Sequence, residues 1–429
     1  MKSIKECKTF FIETLGCSKN LVDSENIYAI FDANNLQMVD NPQNADIILV
    51  NTCGFIEPAK EESIETIFHF CEYKKQFKCK FLIVTGCLVE RYENNLKKLI
   101  PEVDFFYNLK KIQKIGELLG EKKIQKNFRK LLTPSHFAYL RISDGCNNNC
   151  SYCSIPKIRG KLRSRKISEL INEANILAEN GVKELIIIAQ DIGNYGIDLY
   201  GENKLSELLS ELEKIDKISW IRLMYLHPKH ISRNLIRQIA KSKKICKYLD
   251  IPIQHISDKI LSKMNRKISQ KEILQKLIMI KNLIPKIALR TTIMVGFPGE
   301  TDAEFQELFD FINEQKFSKL GCFTYCQEDG TKAAKSSSQI PQNKKNKRHN
   351  LIMKSQGKIS KNNLKKFIGK KMKVIVDKKI ENRLYECRTE FDAPDVDGIV
   401  YLQDANAKVG TFVEVEIVDS LEYDLIAKI

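Results

Sequence analysis

Residues 146–153 read Cys-Asn-Asn-Asn-Cys-Ser-Tyr-Cys, and a C-x3-C-x2-C run of this kind is suited to holding iron and sulfur. Three thiolates on one short loop can cover three corners of a cubane cluster. A closed electron-transfer cluster takes four cysteines, and the ferredoxin run supplies another three residues on, followed by proline. Here the next cysteine is Cys246, far along the chain. One iron would therefore stay open to a small ligand. The competing reading is a structural zinc knuckle. Zinc requires a closed tetrahedron of four protein ligands, and no fourth Cys or His lies close to Cys146, Cys150 and Cys153 in sequence.

A second cysteine set is dispersed. Cys17, Cys53 and Cys87 each follow a strand-like run, and each stands beside a glycine: Gly16, Gly54 and Gly86. In an open parallel sheet, ligand sites gather outside the carboxyl ends of the strands, so the three thiols should converge. A single strand-end cysteine is more often a small buried hydrophobe. Three in three, each with a glycine that permits close backbone approach, point to a second three-cysteine cluster. Cys7, Cys71, Cys79, Cys246, Cys322, Cys326 and Cys387 show no ligand spacing; Cys322 and Cys326 should share one face of a strand and pack in the core. Weaker candidates for a bound cofactor are Gln190 and Asp191, Gln254 and His255, Arg290, and the Gly296-Phe297-Pro298-Gly299-Glu300 turn, whose backbone could hold an adenosyl group. Tyr152 could stack on a cofactor ring or pack against the cysteine loop. His227 and His230 lack a metal-like context and read as structural.

The elements that must position these residues are α/β. Strands at 8–14, 45–52 and 80–85 alternate with helices at 23–33 and 59–73, which implies a parallel sheet in an N-terminal domain over 1–120. A basic, aperiodic linker covers 121–135. Alternation restarts with strands at 137–143, 184–189, 220–226, 248–253, 288–295 and 319–325 and helices such as 167–179 and 303–314. About six units make an incomplete version of the eight-unit barrel over 136–331, with the cysteine loop at its carboxyl edge. A lysine-rich connector at 332–366 reads as a solvated helix or as one touching RNA. Strands at 372–376, 384–389, 399–402 and 411–418 then suggest a small β-barrel over 367–429. At 429 residues several domains are expected. The 43% hydrophobic and 29% charged fractions fit a soluble globular protein. No apolar run nears the ~18 residues needed to span a bilayer, the start of the chain is unlike a signal peptide, and thirteen cysteines in such a chain argue for thiols and metal ligands over disulfides. The net charge of +16 raises contact with nucleic acid or the ribosome, although an AT-rich genome also enriches lysine.

Taken together, the chain resembles the radical S-adenosylmethionine (SAM) methylthiotransferases along essentially its whole length. Residues 14–20 (TLGCSKN), 22–25 (VDSE), 51–57 (NTCGFIE), Gly86-Cys87, the 146–153 triad and 158–165 (IRGKLRSR) carry the resemblance, and the last domain is similar to a TRAM domain. Residues 54–57, 189–191 and 391–398 resemble the RimO type, which modifies an aspartate of a small-subunit ribosomal protein, more than the MiaB type, which modifies an adenosine in tRNA. Ser18 and Cys326 depart from the family pattern without touching the ligand set. The resemblance implies two [4Fe-4S] clusters, with Cys146, Cys150 and Cys153 binding SAM and Cys17, Cys53 and Cys87 holding the sulfur. It also implies the β-carbon of an aspartate in the decoding-centre ribosomal protein number twelve as acceptor. Further expectations are a flavodoxin- or ferredoxin-like electron donor, contact with ribosomal RNA, no membrane and a cytoplasmic location. The two cysteine sets should perform separable steps, and the C-terminal barrel should select the substrate while being dispensable for the radical step.

Overall fold

The computed structural model describes residues 4–120 and 129–429; the first part of the expected linker, 121–128, lies outside them. The N-terminal sheet comprises β1 (Thr9–Thr14), β2 (Gln37–Met38), β3 (Ile47–Thr52), β4 (Phe81–Gly86) and β5 (Phe105–Tyr107), all parallel, in the order β2-β1-β3-β4-β5. The run Ile-Ile-Leu-Val-Asn-Thr of β3 is buried at every position. A parallel strand covered on both faces requires that continuous apolar pattern. Helices Ser18–Ala33, Glu57–Gln76 and Cys87–Leu99 follow β1, β3 and β4. The last was not expected from sequence, and it starts directly at Cys87 with Gly86 as its cap residue, so no polar capping side chain announces it.

The middle of the chain is an open six-stranded parallel sheet. β6 (Phe137–Arg141) is followed by the short antiparallel pair β7 (Ser143–Asp144) and β8 (Arg163–Ser164). β9 (Glu184–Ile188), β10 (Trp220–Leu223), β11 (Ile245–Asp250), β12 (Ala288–Val295) and β13 (Lys319–Thr324) complete the sheet in sequential order with β6. One face packs on its helices through Leu185, Ile187, Leu249, Ile293 and Leu308. The other holds Tyr139, Ile186, Trp220, Cys246 and Tyr248 in a separate cluster that also contains Val22 from the N-terminal domain and Ile375 and Ala393 from the C-terminal one. Both neighbours thus contribute to the concave side of the partial barrel. Cys322 is buried in the core, whereas Cys326 lies beyond the end of β13 and is half-buried.

Helix Gln342–Leu364 packs along β13 and leads into a closed barrel of β14 (Lys371–Glu381), β15 (Leu384–Thr389), β16 (Val400–Leu402), β17 (Phe412–Ser420) and β18 (Leu425–Lys428). The last strand was not expected. The N-terminal domain sits over the carboxyl edge of the central sheet, where Asp23 pairs with Arg141 at the end of β6 (2.6 Å) and the Lys19 ammonium lies 3.2 Å from the Tyr225 ring centroid beyond β10. The C-terminal barrel closes the opposite edge. Glu184, first in β9, meets Arg222 (2.7 Å) and Arg388 (2.8 Å), and Lys319, first in β13, meets Asp392 (2.6 Å).

Candidate active site

The 146–153 loop is pinned at several points. Cys146 N–H donates to Gly160 O (3.1 Å), Asn147 Oδ1 accepts from Leu162 N–H (3.1 Å), and Ser151 N–H and Oγ–H donate to Met264 O and Lys263 O (3.0 and 2.7 Å). Gly145 has φ +71°, and a Cβ there would stand 2.1 Å from Lys161 O, so the loop can leave β7 only through glycine. Asn148 joins the loop to the end of β9: its amide Nδ2 donates to Asp191 Oδ2 (2.8 Å), and its backbone N–H points at Cys146 Sγ (3.4 Å). Arg266 reaches Cys150 Sγ (3.7 Å) and Tyr152 Oη (3.4 Å). Burial pushes the Cys146 thiol up to about 11 and that of Cys153 to about 12, with Arg266 pulling the other way. Bound iron would reverse that balance and hold the sulfurs as thiolates.

The dispersed triad is assembled by its glycines. A Cβ on Gly16 would lie 2.9 Å from Cys53 Sγ, one on Gly54 2.8 Å from the carbonyl carbon of Cys87, and one on Gly86 2.3 Å from Thr52 O. Each glycine beside one cysteine is thus where the chain meets a neighbouring cysteine segment. Asn20 ties the same segments, donating from Nδ2 to Leu15 O and Thr52 O (2.9 and 3.0 Å) and accepting from Cys87 Sγ (3.4 Å). Burial raises the Cys53 thiol and lifts Cys87 to about 12. Among the described residues no three His, Cys, Asp or Glu side chains converge on a single metal ion. Thiols that each hold a separate iron of a cluster need not converge in that way, and three thiols on one side of each site are the donor chemistry a cubane takes.

The two triads share a wall. Arg159 is buried one residue before Gly160, the acceptor for Cys146. Its guanidinium donates to Asp144 (3.1 Å), Asp23 (2.8 Å) and Asn20 Oδ1 (2.8 Å), and comes within 3.9 Å of Cys87 Sγ. Ser154 Oγ, next to Cys153, donates to Phe55 O, two residues from Cys53 (3.4 Å).

The weaker candidates scatter. Gln190 is half-buried at the end of β9, on the same edge as the cysteine loop. Asp191 is a hub: besides Asn148, its carboxylate accepts from Asn194 Nδ2 (3.1 Å) and from the Gly193 and His227 N–H groups (3.0 and 3.2 Å), and pairs with His230 Nδ1 (2.7 Å). His230, read as structural, is therefore linked to the cysteine loop through two hydrogen bonds by way of Asp191. Gln254 takes φ +73° with its backbone in the β12 ladder and its side chain half-buried. His255 is fully buried, its Nδ1 accepting from Ser257 N–H (3.0 Å). Arg290 turns to Asp250 (3.0 Å) and to Asp397 of the C-terminal barrel (3.4 Å). The Gly296 and Phe297 N–H groups donate to the Glu300 carboxylate, and Lys345 covers Gly296, so these amides are already engaged within the turn. Arg159, Arg266 and Asn20 were not singled out from sequence as site residues. Only the runs 158–165 and 14–20 signalled two of them.

Two cysteine triads at the junction of an open parallel-sheet domain and a six-stranded partial barrel are the arrangement expected of a radical SAM enzyme with an additional cysteine site. Family models agree: residues 140–312 match the Radical SAM superfamily, 9–108 the uncharacterized protein family UPF0004, and 368–429 the TRAM domain. The Radical SAM match brings SAM and a [4Fe-4S] cluster with it. Ribosomal protein uS12 methylthiotransferase RimO of Clostridioides difficile (strain 630) is 47% identical, with 97% of this chain and 98% of that protein covered; its counterpart from Clostridium acetobutylicum is 46% identical, with 97% of each covered. The chain belongs to the RimO family of radical SAM methylthiotransferases. Among solved structures, the radical SAM methyltransferase TsrM from Kitasatospora setae shares the fold at a TM-score of 0.55 and 11% identity over 73% of this chain and 72% of that one. The cobalamin-dependent radical enzyme OxsB does so at 0.51 and 11%, over 82% and 56%.

Proposed function

We propose that this chain adds a methylthio group to the β-carbon of an aspartate in ribosomal protein uS12, using two [4Fe-4S] clusters. Cys146, Cys150 and Cys153 hold the one that takes SAM, and Cys17, Cys53 and Cys87 hold the one that carries sulfur. When bound, SAM and its cluster supply a one-electron reductive cleavage, the source of a radical able to take an unactivated hydrogen. The chain's own residues set distances and exclude water. Asp191 fixes Asn148 and with it the Cys146 end of the loop. Arg266 places a positive charge beside Cys150 and Tyr152. Gln190, half-buried on the same edge, would take the amino group of the methionine part of SAM. The electron comes from a small reduced carrier such as a flavodoxin or ferredoxin, in the cytoplasm.

The observation that supports this reading best is Arg159, which reaches Cys87 Sγ (3.9 Å) from the residue beside the Cys146 anchor. A transfer enzyme needs its radical source and its sulfur source to open on one gap, and here the guanidinium lies at one triad while the carbonyl of the next residue, Gly160, anchors the other. The test is mass spectrometry of uS12 and of tRNA after reconstituted enzyme, SAM and reductant have acted on small ribosomal subunits. A methylthio group on uS12, with deoxyadenosine released and tRNA unchanged, is the expected result. A methylthioadenosine in tRNA with unmodified uS12 would overturn the substrate assignment.

A further inference from the structure

The helix Gln342–Leu364 contains no carboxylate over 23 residues. Its buried face carries Lys345, Arg348, Ile352, Gln356, Ile359 and Leu364. At ~100° per residue, Lys347, Lys354, Lys358, Lys361 and Lys365 fall on the opposite side in one narrow stripe, all exposed and interrupted only by exposed Leu351. The ion pairs the helix does make are at its first turns, where Lys344 and Arg348 meet Asp302 (2.8 and 2.7 Å). Among the described residues no carboxylate stands within ion-pair distance of the five stripe lysines. The lysines on β14 differ: Lys371 and Lys373 are directly opposite Glu416 and Glu414 on β17, and Lys378 is opposite Glu386 on β15. Among the described residues these β14 lysines make no ion pair either, and Lys379 faces Tyr385. Glu414, Glu416 and Glu386 on the neighbouring strands nevertheless lower the net charge of that face, whereas the helix has no carboxylate of its own to offset the stripe.

We infer that this lysine stripe, rather than the β14 face of the barrel, docks the protein on the phosphate backbone of structured RNA on the ribosomal small subunit. The inference rests on the ribosomal reading of the function. A rigid helix presents its charges at fixed spacing: Lys347 to Lys361 spans about 21 Å at ~1.5 Å per residue, a length that covers several phosphates. Aliphatic stems with ammonium ends suit sequence-independent phosphate contact. The stripe is on the exposed side of the helix, opposite the residues that pack on the central domain, so it is free to meet RNA.

The test compares wild type with K354Q/K358Q/K361Q, in which charge is removed while helix propensity is nearly kept, and with K371Q/K373Q on the barrel. Binding to a labelled RNA hairpin is measured against salt. Each neutralised phosphate contributes roughly −0.7 to −0.9 to the log–log slope. The helix variant should therefore lose about 2 to 3 units of slope and the barrel variant much less, while K354R/K358R/K361R keeps the wild-type slope. An unchanged slope in the helix variant, a larger loss in the barrel variant, or tighter salt-dependent binding to phosphatidylglycerol vesicles than to RNA would each overturn the inference. The helix variant should also form deoxyadenosine normally and modify isolated uS12 as wild type does, with a raised KM for whole subunits only. RNA binding is read without turnover, so failure of the uS12 assignment and failure of the docking surface give different results.

Discussion

Arg159 connects the two cysteine sets, and its partners explain why the link could not be read from sequence: Asn20 and Asp23 lie 139 and 136 residues away. Asp23 and Asp144 also pair with Arg141 (2.6 and 3.6 Å), so removing Arg159 leaves two carboxylates sharing one cation, a loss that approaches the about 3–5 kcal/mol of a broken buried pair. Arg159→Met should therefore lower the urea midpoint markedly; an unchanged midpoint would contradict the bridge. His255 gives a second residue-scale prediction. Burial holds its imidazole down to about 3 from an ordinary value of 6.5. The folded state therefore binds fewer protons than the unfolded one below that ordinary value. Stability from this site is full above about pH 6.5 and erodes as pH falls, by at most ~1.4 kcal/mol per pH unit, until about pH 3. Urea unfolding at pH 7.5 and 5.5 should show a larger loss in wild type than in His255→Gln, and equal losses would contradict it. As a cofactor candidate His255 was legible only as a polar residue after a strand. Its complete burial depends on neighbours that sequence order does not reveal.

At the scale of elements the alternation of strands and helices was legible. Ala288–Val295, Leu384–Thr389 and helix Ile167–Glu179 fall where their patterns predict. So was the idea that Cys17, Cys53 and Cys87 belong to one edge, because strand ends in a parallel sheet have a fixed geometry. The turn at Gly296 was legible as a turn, but the capture of its amides by Glu300 was not. Helix Cys87–Leu99 and strand Leu425–Lys428 were missed for lack of a capping or turn signal at their starts. The close approaches beside the cysteines give an element-scale prediction. Gly86 has φ +104° and no room for a Cβ against Thr52 O. Gly86→Ala should spread β3 from β4 at the thiols, so reconstituted protein should lose about one cluster's worth of iron while still cleaving SAM. Full iron content in this variant would contradict the assembly described.

At the scale of the whole molecule the central sheet is closed at both edges, by the N-terminal domain above and the C-terminal barrel below. The pattern of the C-terminal strands suggests a module dispensable for the radical step, but the structure gives it a second duty. Tyr139 and Tyr248 donate to Asp395 and Asp397 (3.1 and 2.8 Å), Trp220 packs edge-on against Phe412 (4.8 Å), and buried Glu184 depends on Arg388 as well as Arg222. Removing one partner of a buried charge costs about 3–5 kcal/mol, against a total stability of about 5–15 kcal/mol. Truncation after residue 366 should therefore lower the melting midpoint and solubility and take SAM cleavage with it. A soluble truncated chain with wild-type midpoint and cleavage would show that the barrel only selects substrate. The central claim is that the two triads do different work, and Cys53→Ala assayed for both products of one reaction tests it most directly. The account predicts near-normal deoxyadenosine with no methylthiolated uS12, against neither product from Cys150→Ala. Normal amounts of methylthiolated uS12 from reconstituted Cys53→Ala would contradict it.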